Sequence, residues 1–113
     1  MKKLTTTTFN SEVLNSDKPW VVMFTSKSCN PCKALKPVLR DLAITYKGHV
    51  HFGEVDIQEN TPLMNRYATY TVPTLLIFDG GIVADHMAGM PGKAPSKMIA
   101  GLIDKILARR DKK

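Results

Sequence analysis

Residues 20–25 read WVVMFT, six residues without a charge. An unbroken apolar run of strand length suits a strand covered on both faces, because a strand with one wet face alternates polar and apolar residues. Such a strand needs helices above and below it, and this points to an α/β architecture. At 113 residues, 43% hydrophobic and 23% charged, the chain has the size and mixture of one globular domain, and we expect residues 1–113 to form it. The apolar runs are far shorter than the roughly 20 residues of a membrane-spanning helix, so no membrane role is expected.

The remaining elements follow from periodicity and punctuation. Leu4 to Thr7 reads as a short threonine-rich strand, with Thr8 placed to cap a brief helix from Phe9 to Asn15. A longer helix is predicted from about Pro31 to Tyr46, where Leu35, Val38, Leu39 and Leu42 recur on one side. Pro37 lies inside it and should kink its axis. Val50 to Asp56 reads as a strand, and Thr61-Pro62 as the cap and first residue of a helix through Tyr67. Thr74 to Phe78 and Ile82 to His86 flank Asp79-Gly80-Gly81, a hairpin turn. Pro95 and Ser96 open a last amphipathic helix carrying Met98, Ile99, Leu102, Ile103, Ile106 and Leu107. The order β-α-β-α-β-α-β-β-α predicts a central mixed sheet flanked by helices.

The net charge of +6 is concentrated at the ends, in Lys2 and Lys3 and in a basic C-terminal tail at about 108–113. Cations of this kind suit the C-terminus of a helix, whose outward carbonyls carry partial negative charge, so no nucleic-acid function is read from them. The start, MKKLTTTTFN, has no apolar segment behind its basic pair. The expectation is a cytoplasmic protein.

The only two cysteines, Cys29 and Cys32, stand in TSKSCNPCKALKP, where the apolar strand gives way to the helix. A purely structural disulfide between them would close almost no loop and stabilise little. Structural zinc wants four ligands, and beyond the two sulfurs only His49, His51 and His86 are on offer, with no second CxxC or HxxxH. These histidines read as surface or half-buried strand residues, and no metal is expected. Redox exchange is the remaining chemistry. A helix N-terminus favours an anion, and Lys27, Lys33 and Lys36 add positive charge, with no acid between residues 18 and 40. Both effects should lower the pKa of Cys29, while Cys32, one turn inside, should be more buried. Pro31 removes a donor and stiffens the short ring.

CNPCK on a strand-to-helix turn resembles the thioredoxins, whose usual motif is WCGPCK. Pro37 resembles the proline of that family's active-site helix. Asp56 in EVDIQEN, Val72-Pro73-Thr74, Phe78 with Gly80-Gly81, and Gly89 fall where the family has its acidic strand end, its Ile-Pro-Thr with a cis proline, its hairpin and a groove glycine. The resemblance runs from about Leu4 to Leu107. Ser28 stands in place of the tryptophan before the first cysteine, Asn30 in place of glycine, and Thr25-Ser26 in place of Trp-Ala. Met23 takes the position of the family's buried aspartate and Phe52 that of its partner lysine.

The resemblance implies a thioredoxin fold and a protein-disulfide reductase in which Cys29 attacks and Cys32 resolves. It assigns Asn30, Pro31 and Pro73 to shaping the site, and Ser28, Val72, Ala88, Gly89 and Met90 to docking the substrate. It implies no cofactor beyond the cysteine pair, with NADPH and FAD entering only through a flavoprotein thioredoxin reductase. Disulfide-containing proteins are the expected substrates, a monomer the expected state, and electron transport and redox homeostasis the expected roles. Two other readings stand beside it: a binding or scaffold module with weak redox activity, motivated by the lost tryptophan and aspartate, and an exported oxidant or isomerase.

Overall fold

The computed structural model describes residues 1–111. Five strands form one sheet: β1 (Lys2–Lys3), β2 (Trp20–Thr25), β3 (His51–Asp56), β4 (Thr74–Asp79) and β5 (Ile82–Ala88). Their spatial order is β1-β3-β2-β4-β5; β1, β3 and β2 run parallel, β4 runs antiparallel to β2, and β5 antiparallel to β4 and so in the direction of the first three. Every residue of β2 is buried, as the apolar run from Trp20 to Phe24 requires of a central strand, and Thr25 is buried with it. Two helices cover one face, α1 (Asn30–Thr45) and α3 (Pro95–Asp111). The other carries α2 (Thr61–Tyr67) and a short π-helical segment, Asn10–Leu14. This is the mixed, helix-flanked sheet expected from the sequence.

The alternation of side chains along each strand sorts the core into two clusters. Val21, Met23, Phe52, Leu75 and Ile77 point toward α1 and α3 and meet Leu35, Leu39, Ile99 and Ile103. Val22, Phe24, Val55, Leu76 and Phe78 point the opposite way and meet Phe9, Val13 and Leu63.

Local chemistry moved several expected boundaries. The first strand is Lys2–Lys3 rather than Leu4 to Thr7, because the threonines bond to one another instead of to a neighbouring strand. The Thr8 hydroxyl accepts from the Thr5 N–H at 3.0 Å and caps no helix. Asn60, not Thr61, is the N-cap residue of α2, and its backbone carbonyl accepts from Leu63. α1 continues through Pro37, which lies on an exposed side. In the hairpin both Gly80 and Gly81 have positive φ, and a Cβ at Gly81 would sit 2.7 Å from the Leu14 carbonyl oxygen, so only glycine fits there. The basic stretch from residue 108 is helical as far as Asp111, and Arg110 bonds to the Asp79 carboxylate and the Asp17 carbonyl. Lys112 and Lys113 lie outside the described residues.

Candidate active site

The site forms where β2 ends and α1 begins. Cys29 is the N-cap of α1, in an extended conformation. Its sulfur accepts a hydrogen bond from the Cys32 N–H at 3.1 Å, the position in which a capping oxygen would normally sit. Pro31 fills the first turn, where its missing N–H costs nothing. The two sulfurs are joined as a disulfide. Cys29 is 7% exposed and Cys32 only 1%, so the leading sulfur is the one a partner can reach. Ser28, Asn30 and Pro31 are exposed around it.

Strand pairing brings in the rest. Phe24 pairs with Thr74, which sets Pro73 beside the turn that leaves β2. Pro73 is buried and its bond to Val72 is cis. Thr74 pairs in turn with Ala88, and the Gly89 N–H donates to the Pro73 carbonyl at 2.8 Å. Val72, Pro73, Ala88, Gly89 and Met90 therefore form one continuous edge. Met90 is 40% exposed, so it is a surface side chain and not core filling. Tyr70, absent from the residues picked out of the sequence, is 59% exposed two residues before Val72. An aromatic residue in a threonine-rich loop was the available signal.

The lysines behave less simply than their sequence neighbourhood suggested. Lys33 is exposed. Lys27 pairs with Glu59 at 3.4 Å, between two largely exposed side chains, and Lys36 pairs with Glu54 at 3.3 Å. The stretch around the cysteines contains no acid, but the fold supplies two from β3 and the loop after it. Their charge offsets part of the positive field expected at Cys29.

Met23 and Phe52 are buried members of the apolar cluster under α1 and α3. Met23 stands in register with Glu54 on β3, and Phe52 with Val21 on β2. A cavity of about 200 Å³ opens beside the β2–α1 turn, with Thr25, Ser26, Lys36, Glu54 and Asp56 among its walls. Asp56 accepts from the Gln58 and Glu59 N–H groups at 2.9 and 3.3 Å, closing the turn after β3. His51 is exposed and stacks on Trp20, His49 lies in the turn before β3, and His86 is exposed on β5. Among the described residues no three His, Cys, Asp or Glu side chains are grouped to hold a metal, and no helix is long and apolar enough to cross a membrane.

The sequence model of the thioredoxin family matches residues 1–107. The chain belongs to the thioredoxin family. A thioredoxin of Chlorobaculum thiosulfatiphilum is 38% identical over 96 residues, covering 85% of this chain and 86% of that protein. Thioredoxin 1 of a Nostoc species is 37% identical over 87 residues, covering 77% and 81%. A bifunctional thioredoxin reductase/thioredoxin of Mycobacterium leprae is 30% identical over 92 residues, covering 81% of this chain and 20% of that protein. With its cysteine pair at bonding distance, this thioredoxin-family protein is a thiol–disulfide oxidoreductase, a disulfide reductase by kind.

Proposed function

We propose that the protein reduces disulfides in partner proteins by a two-step exchange, with Cys29 attacking and Cys32 resolving. The observation that carries this is the Cys29 sulfur in the N-cap position of α1, accepting the Cys32 N–H at 3.1 Å. Unpaired N–H groups at a helix start favour a thiolate over a thiol, and the thiolate is the nucleophile. Cys29 thiolate attacks one sulfur of the substrate disulfide, and the other sulfur leaves with the bonding electrons and takes a proton. Cys32 then attacks the Cys29 sulfur, the mixed disulfide breaks, and the partner departs as a dithiol. Two electrons have passed from the cysteine pair to the partner.

In this reading Asn30 and Pro31 hold the turn and Pro73 walls the sulfurs. The edge from Val72 to Met90 docks an extended segment, with Ser28 on the opposite side. Lys33, with Lys27 and Lys36 as far as their carboxylates allow, favours the anion. No cofactor resides in the chain. The oxidised pair is recharged by a flavoprotein thioredoxin reductase that holds the FAD and takes electrons from NADPH, a partnership that the reductase–thioredoxin fusion of Mycobacterium leprae supports. We place the protein as a single-domain monomer in the cytoplasm, serving electron transport and redox homeostasis.

Reduction of insulin disulfides with dithiothreitol as the electron source tests the proposal. The wild type should precipitate insulin well above the background rate, and Cys32→Ser should accumulate a mixed disulfide through Cys29. A wild type no faster than background would overturn it.

A further inference from the structure

The second step of the exchange needs the Cys32 thiol to lose a proton, yet Cys32 is 1% exposed. The sheet beneath α1 offers no help at Met23 or Leu75, which are apolar and in register. One strand over, the pairing of Met23 with Glu54 puts a carboxylate on the same sheet face. The Glu54 side chain is 13% exposed, and its Oε2 is buried without a hydrogen bond. Lys36 Nζ lies 3.3 Å from that oxygen, near enough for charge attraction but not aligned to donate.

Lys36 follows Cys32 by four residues on α1, so the two share a helix face, about 6 Å apart along the axis. Thr25, Ser26, Lys36 and Glu54 bound the cavity of about 200 Å³ beside that face. Such a volume admits several waters, at about 30 Å³ each. The other charged groups of the cavity are Lys3 from β1, Lys27 from the β2–α1 turn, Asp56 from β3 and Glu59 from the following loop, with none from α3. Asp56 is occupied by two backbone donors and Glu59 by Lys27. Of the three carboxylates, Glu54 is the one with a buried oxygen still open to a proton.

We propose that Glu54 receives the Cys32 proton through cavity water during release of the mixed disulfide, with Lys36 holding the carboxylate in place. The proposal rests on the two-step exchange described above. The Cys32 S–H bond breaks and its proton passes along water to Oε2. The sulfur's electron pair forms the bond to Cys29, and the bond from Cys29 to the partner breaks. The partner's sulfur leaves as a thiolate, and Glu54 afterwards returns its proton to solvent.

An aromatic disulfide such as dithiobis(nitrobenzoate) separates the steps, releasing one coloured thiolate when Cys29 attacks and a second when Cys32 does. In stopped-flow absorbance, Glu54→Gln should keep the first phase within about twofold and slow the second about 100-fold or more near neutral pH, as expected for losing a proton acceptor. The deficit should shrink as pH rises toward ionisation of the thiol itself, and Glu54→Asp should recover part of the rate. A second phase matching wild type across pH, or slowed by one factor at every pH, overturns the proposal. If Glu54→Gln does not fold, Lys36→Gln takes its place: whatever it does to the first phase through the Cys29 anion, it should move the pH dependence of the second, and no movement there overturns the proposal. A wild type lacking the first phase, or a Cys29→Ser variant showing it, would defeat the exchange mechanism instead.

Discussion

On the α2 face of the sheet, Phe9 meets Phe78 edge to face at 5.4 Å, and Tyr67 meets Phe78 at 5.4 Å and Phe9 at 5.7 Å. Phe24 closes the group against Tyr67. The face under α1 and α3 is mostly aliphatic, and its packing is broken at one side by Lys36, Glu54 and the cavity they border. α1, which is capped by Cys29 and carries Cys32, belongs to this second face. The aromatic face has large rings in fixed contact and little to do but hold the sheet together. The aliphatic face accepts a half-buried ion pair, an arrangement that contributes little to stability. A fold of this size can run chemistry at one corner because the other face secures the sheet.

The largest effect that tests this division is on activity. Cys29→Ser deletes one sulfur from the α1 corner and touches neither cluster, so insulin reduction should vanish while the urea midpoint of the reduced wild type is retained. A variant that kept turnover would remove the corner from the chemistry altogether. Next comes stability. Phe24, fully buried among the rings, should cost about 3–5 kcal/mol when changed to Ala, and Leu39→Ala on the aliphatic face about 2–5 kcal/mol. Urea unfolding of both variants measures the order. A larger loss at Leu39 than at Phe24 would reverse the roles of the two faces.

The sequence displayed the aromatic face and the corner unequally. WVVMFT was readable as a central strand because nothing but burial on both sides explains five apolar residues in a row with only a threonine after them. The cysteine pair was readable because a helix start is a local feature. The Lys36–Glu54 pair was not, since its members are 18 positions apart on different elements. Their meeting depends on β2 and β3 aligning Met23 with Glu54, and a slip of one residue would turn Glu54 to the aromatic face. The threonine run misled for the reverse reason. β-Branched residues favour strands, but here their hydroxyls found one another, at 3.0 Å between Thr5 and Thr7, and held a turn.

A smaller effect comes from making the aliphatic face as dry as its counterpart. Lys36→Met combined with Glu54→Leu removes both charges together and leaves neither stranded. Replacing a buried pair in this way is neutral to stabilising, by up to about 4 kcal/mol in deep cores. Both side chains keep some exposure, so a gain nearer 1 kcal/mol is expected here, again from urea midpoints. The same variant should resolve its mixed disulfide slowly. A marked loss of stability would mean that the ion pair belongs to the structural support of this face.

The smallest effect lies at the seam between α1 and α3. Tyr46, at the end of α1, donates its hydroxyl to Asp104 Oδ1 at 2.6 Å. Burial first, and then the bond to Asp104 and its negative charge, push the phenol from an ordinary 10.0 up to about 12. The folded state thus prefers the neutral phenol. Its contribution is complete below pH 10 and disappears as pH rises to about 12, where the hydroxyl loses the proton it donates. Tyr46→Phe should cost about 1 kcal/mol or less at neutral pH, since Asp104 is exposed and water can replace the lost partner. The gap between the two proteins should close between pH 10 and 12, and tyrosinate absorbance should rise late in the wild type. A gap that persists above that window would mean that the ring's packing, and not its hydrogen bond, ties α1 to α3.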